Sequence, residues 1–590
     1  MIPTYLGKVG AVNGSAVSIR LGASINSGIA VIGGRSYKIG QVGSFVRIPQ
    51  GYHDLYGIIS EVGATANPSK TIDSQDHGER WMTAQLVGEI VDASFERGIS
   101  QYPNVNDEVH LVTEEDLAKI YGSTTENQVS IGRLANAEAI PVRIDLDKLL
   151  TRHSAVLGST GSGKSTAVAS LLRSITSTGA NGFPSARIIL LDLHGEYTRA
   201  LSDVAQTFRV APQGDEKPLV VPFWALPPAD VVAHLTGKID DRAAVAILDR
   251  IFSAKIELAT RTPIAGVDLN SMTIDSPIPY SLRQLWFDLI DPEIKTWADN
   301  TKRTAALIQV GDASSLRAST YEPATTTNSA PFLNNVGILG IRTQLEKMRS
   351  KLLDRQLGFL FSPGDWTPSE NGDTEKDLPD LLQSWIGHEK PITILDLSGI
   401  PSAVLIQLVG AILNIVYESL FWGRYRREGG RARPQLVVME EAHRYLGKDS
   451  SNPAREIVQR IVKEGRKFGI GAMIVSQRPS EIDDTILSQC GTFFALRLSN
   501  SADRNAVQSA LPDNLSGIAD TLSVLRTGEA VVAGEAARLP VRCRVSLPPA
   551  GYRPDSEDPL VADQWKLPRG PENYAELVAA WRAQDPRWKP

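Results

Sequence analysis

The chain has 590 residues, too many for one hydrophobic core, and predicts about three or four domains. Lys and Arg number 61 against 67 Asp and Glu, a formal net charge of −6 that excludes a surface basic all over and confines any nucleic-acid contact to a local feature such as a channel lining. The two cysteines, Cys490 and Cys543, exclude a disulfide framework and a cysteine-built zinc site and fit a reducing, cytoplasmic setting, and the first eight residues lack the charged start and apolar core of a signal peptide.

Residues 1–115 carry short alternating runs broken by glycine, at 8–12, 16–20, 44–49 and 55–62. Strands this short and frequent predict a small β-barrel, with the polar stretch 66–80 as a loop within it. A helix-like stretch and the run at 139–145 then lead into an α/β region. There, residues 154–166 read Ser-Ala-Val-Leu-Gly-Ser-Thr-Gly-Ser-Gly-Lys-Ser-Thr, a short apolar strand running into Gly158-x-x-x-x-Gly163-Lys164-Ser165, with a helical pattern following. This spacing is that of a phosphate-binding loop. The glycines let backbone N–H groups, including those of Gly161, Ser162 and Thr166, turn toward a polyphosphate; Lys164 reaches the outer phosphates, and the Ser165 hydroxyl joins a Mg²⁺ shell. ATP and Mg²⁺ are therefore the expected cofactors.

Further apolar strands at 187–193, 392–397, 436–441, 472–477 and 493–498 alternate with helices and predict a mostly parallel sheet covered on both faces. Between the second and third of the strands lies a long stretch with helical periodicity at 230–256, 302–310 and 340–353, read as a helical insertion with polar loops at 259–280 and 314–335. The apolar segment 403–422 has the length of a membrane span. It contains Gln407, Asn414 and Glu418 and directly follows a buried-strand pattern, so it is read as a buried helix. Runs at 529–534 and 539–545 predict a closing hairpin. The tail beyond it is proline-rich and holds Trp565, Trp581 and Trp588, which calls for docking either on a neighbour or on its own ATPase domain. The expected domains are thus a barrel at 1–115, a first part of the ATPase core at 116–225, the insertion at 226–390, a second part of the core at 391–546 and an arm at 547–590.

A hydrolytic enzyme of this type needs an acid near Mg²⁺ and a base for the attacking water, usually at the end of a buried strand. Glu440 and Glu441 at the end of 436–441 supply both, Glu440 near the metal and Glu441 polarising water. Gln477, at the tip of another strand, is the candidate sensor of the γ-phosphate. The cluster Asp192-Leu-His194-Gly-Glu196-Tyr197 ends a strand read as lying beside the loop and is a nucleotide-site or coupling element. His194, Glu196 and His443 lack paired-ligand spacing, which argues against metal beyond Mg²⁺. Positive charge near the transferred phosphate often comes from a neighbouring subunit; Arg466 is the first choice and Arg152 the second, although composition separates neither from a surface arginine. The basic run Arg424 to Arg433 reads as a solvated connection before a strand rather than a nucleic-acid contact.

Together these motifs resemble the HerA family of the HerA/FtsK motor ATPases. The matching stretches begin at Thr151 and run through the phosphate loop, Asp192-Leu-His-Gly-Glu-Tyr, Ile394-Leu-Asp-Leu-Ser-Gly-Ile-Pro, Glu440-Glu-Ala-His-Arg-Tyr-Leu, Glu464-Gly-Arg-Lys-Phe-Gly, Ser476-Gln-Arg-Pro-Ser and Leu525-Arg-Thr-Gly-Glu-Ala. The resemblance implies a RecA-like core, a ring of six subunits with ATP at the interfaces, and duplex DNA in the central channel. Under it Glu441 is the catalytic glutamate, Arg466 the finger acting in trans, and Arg152 a nucleotide-sensing arginine. It also implies a partner on the barrel face, either a nuclease or a sirtuin-type effector of antiphage defence. Two functions stay open: a DNA translocase coupled to a nuclease, or a ring scaffold that assembles and regulates an effector without processive movement.

Overall fold

The computed structural model describes all residues except 1–3, 23–27, 33, 64–79, 93, 122–125, 136, 180–181, 325–328, 401, 449–451, 512–519, 557–559, 569–573 and 584–590. The chain forms two compact units, one from residues 1–207, 389–398 and 419–575 and another from 208–388, 399–418 and 576–590.

The first unit opens with strands β1 Tyr5–Asn13, β2 Ala16–Leu21, β3 Ile29–Ile32, β4 Arg35–Lys38, β5 Phe45–Pro49, β6 Asp54–Gly63, β7 Trp81–Val91, β8 Ser94–Arg97 and β9 Glu108–Leu111. They pair in the order β2-β1-β9-β5-β6-β7-β8, and a β2–β7 pairing closes the barrel, leaving β3 and β4 as a separate hairpin. Alternation sends Val17 and Ile19 inward with Leu6, Val9, Val46, Ile48, Leu55 and Met82, so one face of each strand builds the core. Gly7 permits the closest approach in the barrel, since a Cβ there would lie 1.9 Å from the Arg20 carbonyl oxygen. The predicted loop at 66–80 lies outside the described residues apart from Arg80.

The chain continues through α1 Glu114–Tyr121, β10 Gln128–Leu134, β11 Ala137–Asp145, α2 Leu146–Thr151, β12 Ser154–Leu157, α3 Lys164–Ile175, β13 Ile188–Asp192, α4 Tyr197–Ala200 and β14 Ala205–Arg209. The lead-in at 116–150 is thus more than a helix and a single run: it folds as a hairpin, β10 with β11, and that hairpin extends the core sheet.

The second unit holds β15 Lys217–Pro218, α5 Pro228–Thr236, α6 Asp241–Arg261, α7 Leu282–Ile294, β16 Thr296–Trp297, β17 Leu307–Gln309, β18 Thr320–Tyr321, β19 Phe332–Leu333, α8 Arg342–Leu353, α9 Gly358–Phe361 and α10 Leu378–Ile386. The helical run 230–256 is broken at Gly237, whose φ of 72° is left-handed, and restarts where the Asp240 side chain accepts from Ala243 N at 2.7 Å. The helix expected at 302–310 does not form. That stretch contains β17, antiparallel to β18, because Thr304, Ile308 and Val310 favour extended backbone and Leu307, Ile308 and Val310 remain exposed, with no buried face to reward a helix.

Then follow β20 Ile392–Asp396, α11 Ser402–Trp422, β21 Gln435–Met439, α12 Pro453–Phe468, β22 Ile470–Ser476, α13 Asp484–Ser488, β23 Thr492–Ala495, α14 Ser501–Ala510, β24 Glu529–Gly534 and β25 Val541–Val545. The core sheet runs β11-β10-β25-β24-β23-β12-β22-β21-β13-β20 and on into β14. Every pairing from β23 to β20 is parallel. All residues of β12, β13, β20, β21 and β22 are buried, as expected of parallel strands covered on both faces. Helix α11 is long and apolar enough to cross a membrane, but 67% of its most apolar stretch is buried inside the protein.

Helix α12 shows why its ends fall where they do. Asn452 caps it by accepting from Arg455 N at 3.0 Å, Pro453 takes the first turn, and Gly469 ends it at φ 73°. Ala454, Ile457, Val458, Ile461, Val462, Gly465 and Phe468 form its buried stripe, which leaves Arg466 and Lys467 on the open side.

The arm begins on the core: Tyr552 lies under the Arg173 guanidinium at 4.2 Å, and Asp555 N donates to the Glu196 carbonyl at 2.9 Å. Beyond it, the helices Val561–Lys566 and Tyr574–Ala583 have no fully buried residue, Val578, Ala579 and Ala580 are half-buried, and Trp565 and Trp581 are exposed. Docking on the chain's own core thus accounts for the root of the arm and not for these tryptophans; Trp588 lies outside the described residues.

Candidate nucleotide site

Strand β12 stands between β22 and β23, with Leu157 opposite both Ser476 and Ala495. At its tip the chain turns so tightly that a Cβ on Gly158 would lie 2.6 Å from Ser162 Oγ and 2.8 Å from Leu496 Cβ. Gly161 and Gly163 take φ values of 72° and 91°, a region that side chains disfavour. Neighbouring strands pin the loop. Ser159 N donates to the Arg497 carbonyl at 2.9 Å, Gly528 N to the Ser162 carbonyl at 2.9 Å, and Arg497 Nη2 to the Gly161 carbonyl at 3.3 Å. Helix α3 starts at Lys164, with Ser165 and Thr166 in its first turn, so its free N–H groups and positive dipole end lie at the loop.

Glu440 and Glu441 follow β21, which is separated from β12 by β22. Both are buried, and Glu441 is held at φ 44°, an uncommon backbone for a residue with a side chain. Its Oε1 lies 2.5 Å from Lys164 Nζ, and its Oε2 is 3.2 Å from His443 Nδ1. His443 Nδ1 is also 3.2 Å from Ser476 Oγ, and burial pushes its pKa below the usual histidine value. The imidazole thus lies beside Glu441, whose Oε2 is buried without a hydrogen-bond partner. Gln477 accepts from Thr160 Oγ1 at 2.6 Å, which joins the tip of β22 to the loop.

The Asp192 segment comes to the same place by another route. Its strand, β13, is three places from β12 rather than beside it, as the sequence suggested, because β22 and β21 intervene. Asp192 is fully buried and its carboxylate organises the turn after it, accepting from His194 N at 3.3 Å, Gly195 N at 2.8 Å, Glu196 N at 3.2 Å and Tyr197 N at 2.9 Å. That turn carries Tyr197 to the Ser165 hydroxyl and the Glu440 carboxylate. Burial raises the pKa of Glu440 well above the usual carboxylate range, and the nearby Asp192 and Glu196 raise it further against the pull of Lys164. Asp192→Ala leaves those four N–H groups without their acceptor. Amide hydrogen exchange at 194–197 should accelerate by at least tenfold, since each lost bond to a charged acceptor removes about 1.5–3 kcal/mol. Unchanged protection would refute this role for Asp192.

The two arginine candidates lie elsewhere. Arg466 is exposed at the end of α12, next to the start of β22, and has no ion pair or hydrogen bond among the described residues. β22 then runs about 20 Å to its tip, so Arg466 is not brought to the phosphate loop of its own chain. Arg152 is likewise at the starting end of β12, paired through Nε with Glu535 Oε2 at 3.3 Å, and the geometry does not place it in its own nucleotide site. The sequence assigns no part to Arg497, and it raises His443 only as a zinc ligand that its spacing argues against. The available signal was position: each lies at the carboxyl end of a core strand, where ligands of such sheets gather. The exposed basic run holds Arg424 over the rings of Phe421 at 5.2 Å, Tyr425 at 5.0 Å and Phe468 at 5.8 Å. Among the described residues no group of three or more His, Cys, Asp and Glu side chains is spaced to hold a metal by itself.

A glycine-turned loop between a buried strand and a helix, with a lysine held by a strand-end glutamate and a further strand between them, defines a P-loop ATPase of the kind that activates water. The chain belongs to the HerA family: the model described as "Helicase HerA, central domain" matches residues 129–416, and "Helicase HerA-like C-terminal" matches 381–547. The "DNA double-strand break repair helicase HerA" of Sulfurisphaera tokodaii is 28% identical over 472 residues, covering 80% of this chain and 79% of that protein. The protein of the same name from Pyrococcus furiosus is 24% identical over 530 residues, covering 83% and 82%. Among solved structures, VirB4 of Thermoanaerobacter pseudethanolicus aligns at 13% identity with a TM-score of 0.43, over 73% of this chain and 99% of its own. The bacterial conjugative coupling protein TrwBdeltaN70 aligns at 14% and 0.42, over 74% and 92%.

Proposed function

We propose that the protein is an ATP-driven motor on double-stranded DNA that works in the cytoplasm as a homohexamer, with a nuclease or sirtuin-type effector docked on the barrel face. The observation that carries the ATPase part is the contact of Glu441 with Lys164, which puts a carboxylate where the outer phosphates are received. The DNA part rests on relatives named as DNA repair helicases.

In this reading the loop 158–166 takes the phosphates and Lys164 leaves Glu441 for the β- and γ-phosphates. The Glu440 Oε2 atom is buried without a hydrogen-bond partner, and with the Ser165 hydroxyl it offers the hard oxygen donors that suit Mg²⁺. Bound there, Mg²⁺ would neutralise charge on the phosphate oxygens. Glu441, freed and with His443 beside it, accepts a proton from water as the water oxygen bonds to the γ-phosphorus. The bond from that phosphorus to the bridging oxygen breaks, and ADP keeps the electron pair. Gln477, tied to Thr160, sits where it reports the presence of the γ-phosphate. Arg466 and Arg152, remote from their own loop, serve the site of the adjacent subunit.

The deciding experiment is native mass together with ATPase rate, with and without duplex DNA. A six-fold mass and hydrolysis raised by DNA, with binding that weakens steeply as salt rises, are expected of the motor. Hydrolysis indifferent to DNA in a six-fold assembly that binds its effector would replace the motor by the scaffold, and a monomer in every condition would remove the trans arginines.

A further inference from the structure

Tyr197 is fully buried, and its hydroxyl has the Ser165 hydroxyl near it but no hydrogen bond of good geometry among the described residues. A buried hydroxyl without a partner is costly, so its surroundings matter. It stands among the Glu440, Asp192 and Glu196 carboxylates and the Ser165 hydroxyl. The carboxylates beside it include two further orphans: Glu440 Oε2 and Glu196 Oε2 are both buried without hydrogen-bond partners. Asp192 and Glu440 lie within hydrogen-bonding reach of each other, while Asp192 spends its oxygens on the N–H groups of its own turn. Asp192, Glu196 and Glu440 thus act electrostatically on the Tyr197 hydroxyl, while Lys164 is the cation acting on Glu440 and is also bound to Glu441.

Such a set is unfinished without a donor-rich guest that carries positive charge. Mg²⁺ keeps several of its waters and takes few protein ligands. Those waters are strong hydrogen-bond donors, and carboxylates with vacant lone pairs are their natural acceptors. We propose that Glu196 and the Tyr197 hydroxyl form the outer shell of the magnesium–nucleotide site, holding metal-bound water rather than the metal, and thereby set the affinity for the divalent ion. The proposal rests on the reading that Ser165 and Glu440 hold that ion. Glu196 and Tyr197 are positioning residues in this account, fixed by the Asp192 turn.

The test is Mn²⁺ binding to the full chain saturated with ADP, followed by electron paramagnetic resonance, with ADP affinity in EDTA measured alongside to show an intact loop. Glu196→Gln and Tyr197→Phe should each weaken Mn²⁺ about 10-fold or more, with ADP affinity in EDTA unchanged within about twofold. Glu440→Gln separates the two levels of argument. If it leaves Mn²⁺ affinity unchanged, the underlying metal reading is wrong and the outer shell goes with it. If it weakens Mn²⁺ while Glu196→Gln and Tyr197→Phe stay within about twofold of the parent, the metal site stands and the outer-shell proposal is overturned. An equal loss of ADP affinity in EDTA would show that the two residues merely hold the loop's shape, and would also overturn it.

Discussion

Glu441→Gln is expected to lower ATP turnover by about 10²–10⁴-fold, the usual scale for removing a positioned base. Glutamine keeps the shape of the side chain and removes its charge, so the backbone at φ 44° need not change. The same substitution dissolves the ion pair between Glu441 and Lys164. ATP no longer has to displace a carboxylate, and its affinity should hold or rise while turnover collapses. A fluorescent ATP analogue and a phosphate-release assay measure the two quantities on one preparation. Turnover within threefold of the parent would mean that the base lies elsewhere, whereas a loss of binding in step with turnover would mean that Glu441 shapes the loop rather than the chemistry.

The second large effect is expected for Arg466→Ala, at about 10³–10⁵-fold in turnover if the guanidinium stabilises the phosphate of the adjacent site. The loss should appear without destabilisation, because the side chain is exposed and unpaired among the described residues. Mixing provides the sharper check. An Arg466→Ala subunit retains its own Glu441, and a Glu441→Gln subunit retains its Arg466, so mixed assemblies contain interfaces with both groups intact. Recovered hydrolysis on mixing two nearly inactive preparations is the expected result. No recovery at any ratio would remove Arg466 from the neighbour's chemistry.

Much of this site was legible in the sequence because its parts are local. The phosphate loop is a spacing of glycines between an apolar run and a helix, and Glu440 with Glu441 closes a run of four buried apolar residues. Such patterns follow from backbone geometry within about ten residues. What could not be read was the order of strands. Asp192 looked adjacent to the loop by its place in the chain, yet two strands separate them, and it contributes through a turn that delivers Tyr197 to Ser165. His443 and Arg497 were obscure for the same reason: the contact of His443 with Ser476 and that of Arg497 with Gly161 join segments far apart in the chain. The stretch 302–310 failed differently. Its apolar residues fit a helical period over too few turns, and β-branched side chains with no core to face took extended backbone instead.

Strand β22 carries a consequence beyond the chemistry at its tip. Seven consecutive buried residues, the first five paired with β21 and the last four with β12, run from beside the end of α12, where Arg466 is exposed, to Ser476 and Gln477 beside the phosphate loop. A strand held by neighbouring strands along its whole length bends little, so it would act as a push-rod, carrying any shift of its tip toward the far end. In a ring of such subunits, each rod would have one end reading its own site and the other end reaching for the next. The timing of neighbouring sites would then be set by the stiffness of a single piece of backbone, and a flexible insertion in β22 should leave each site able to bind ATP while the subunits lose step with one another.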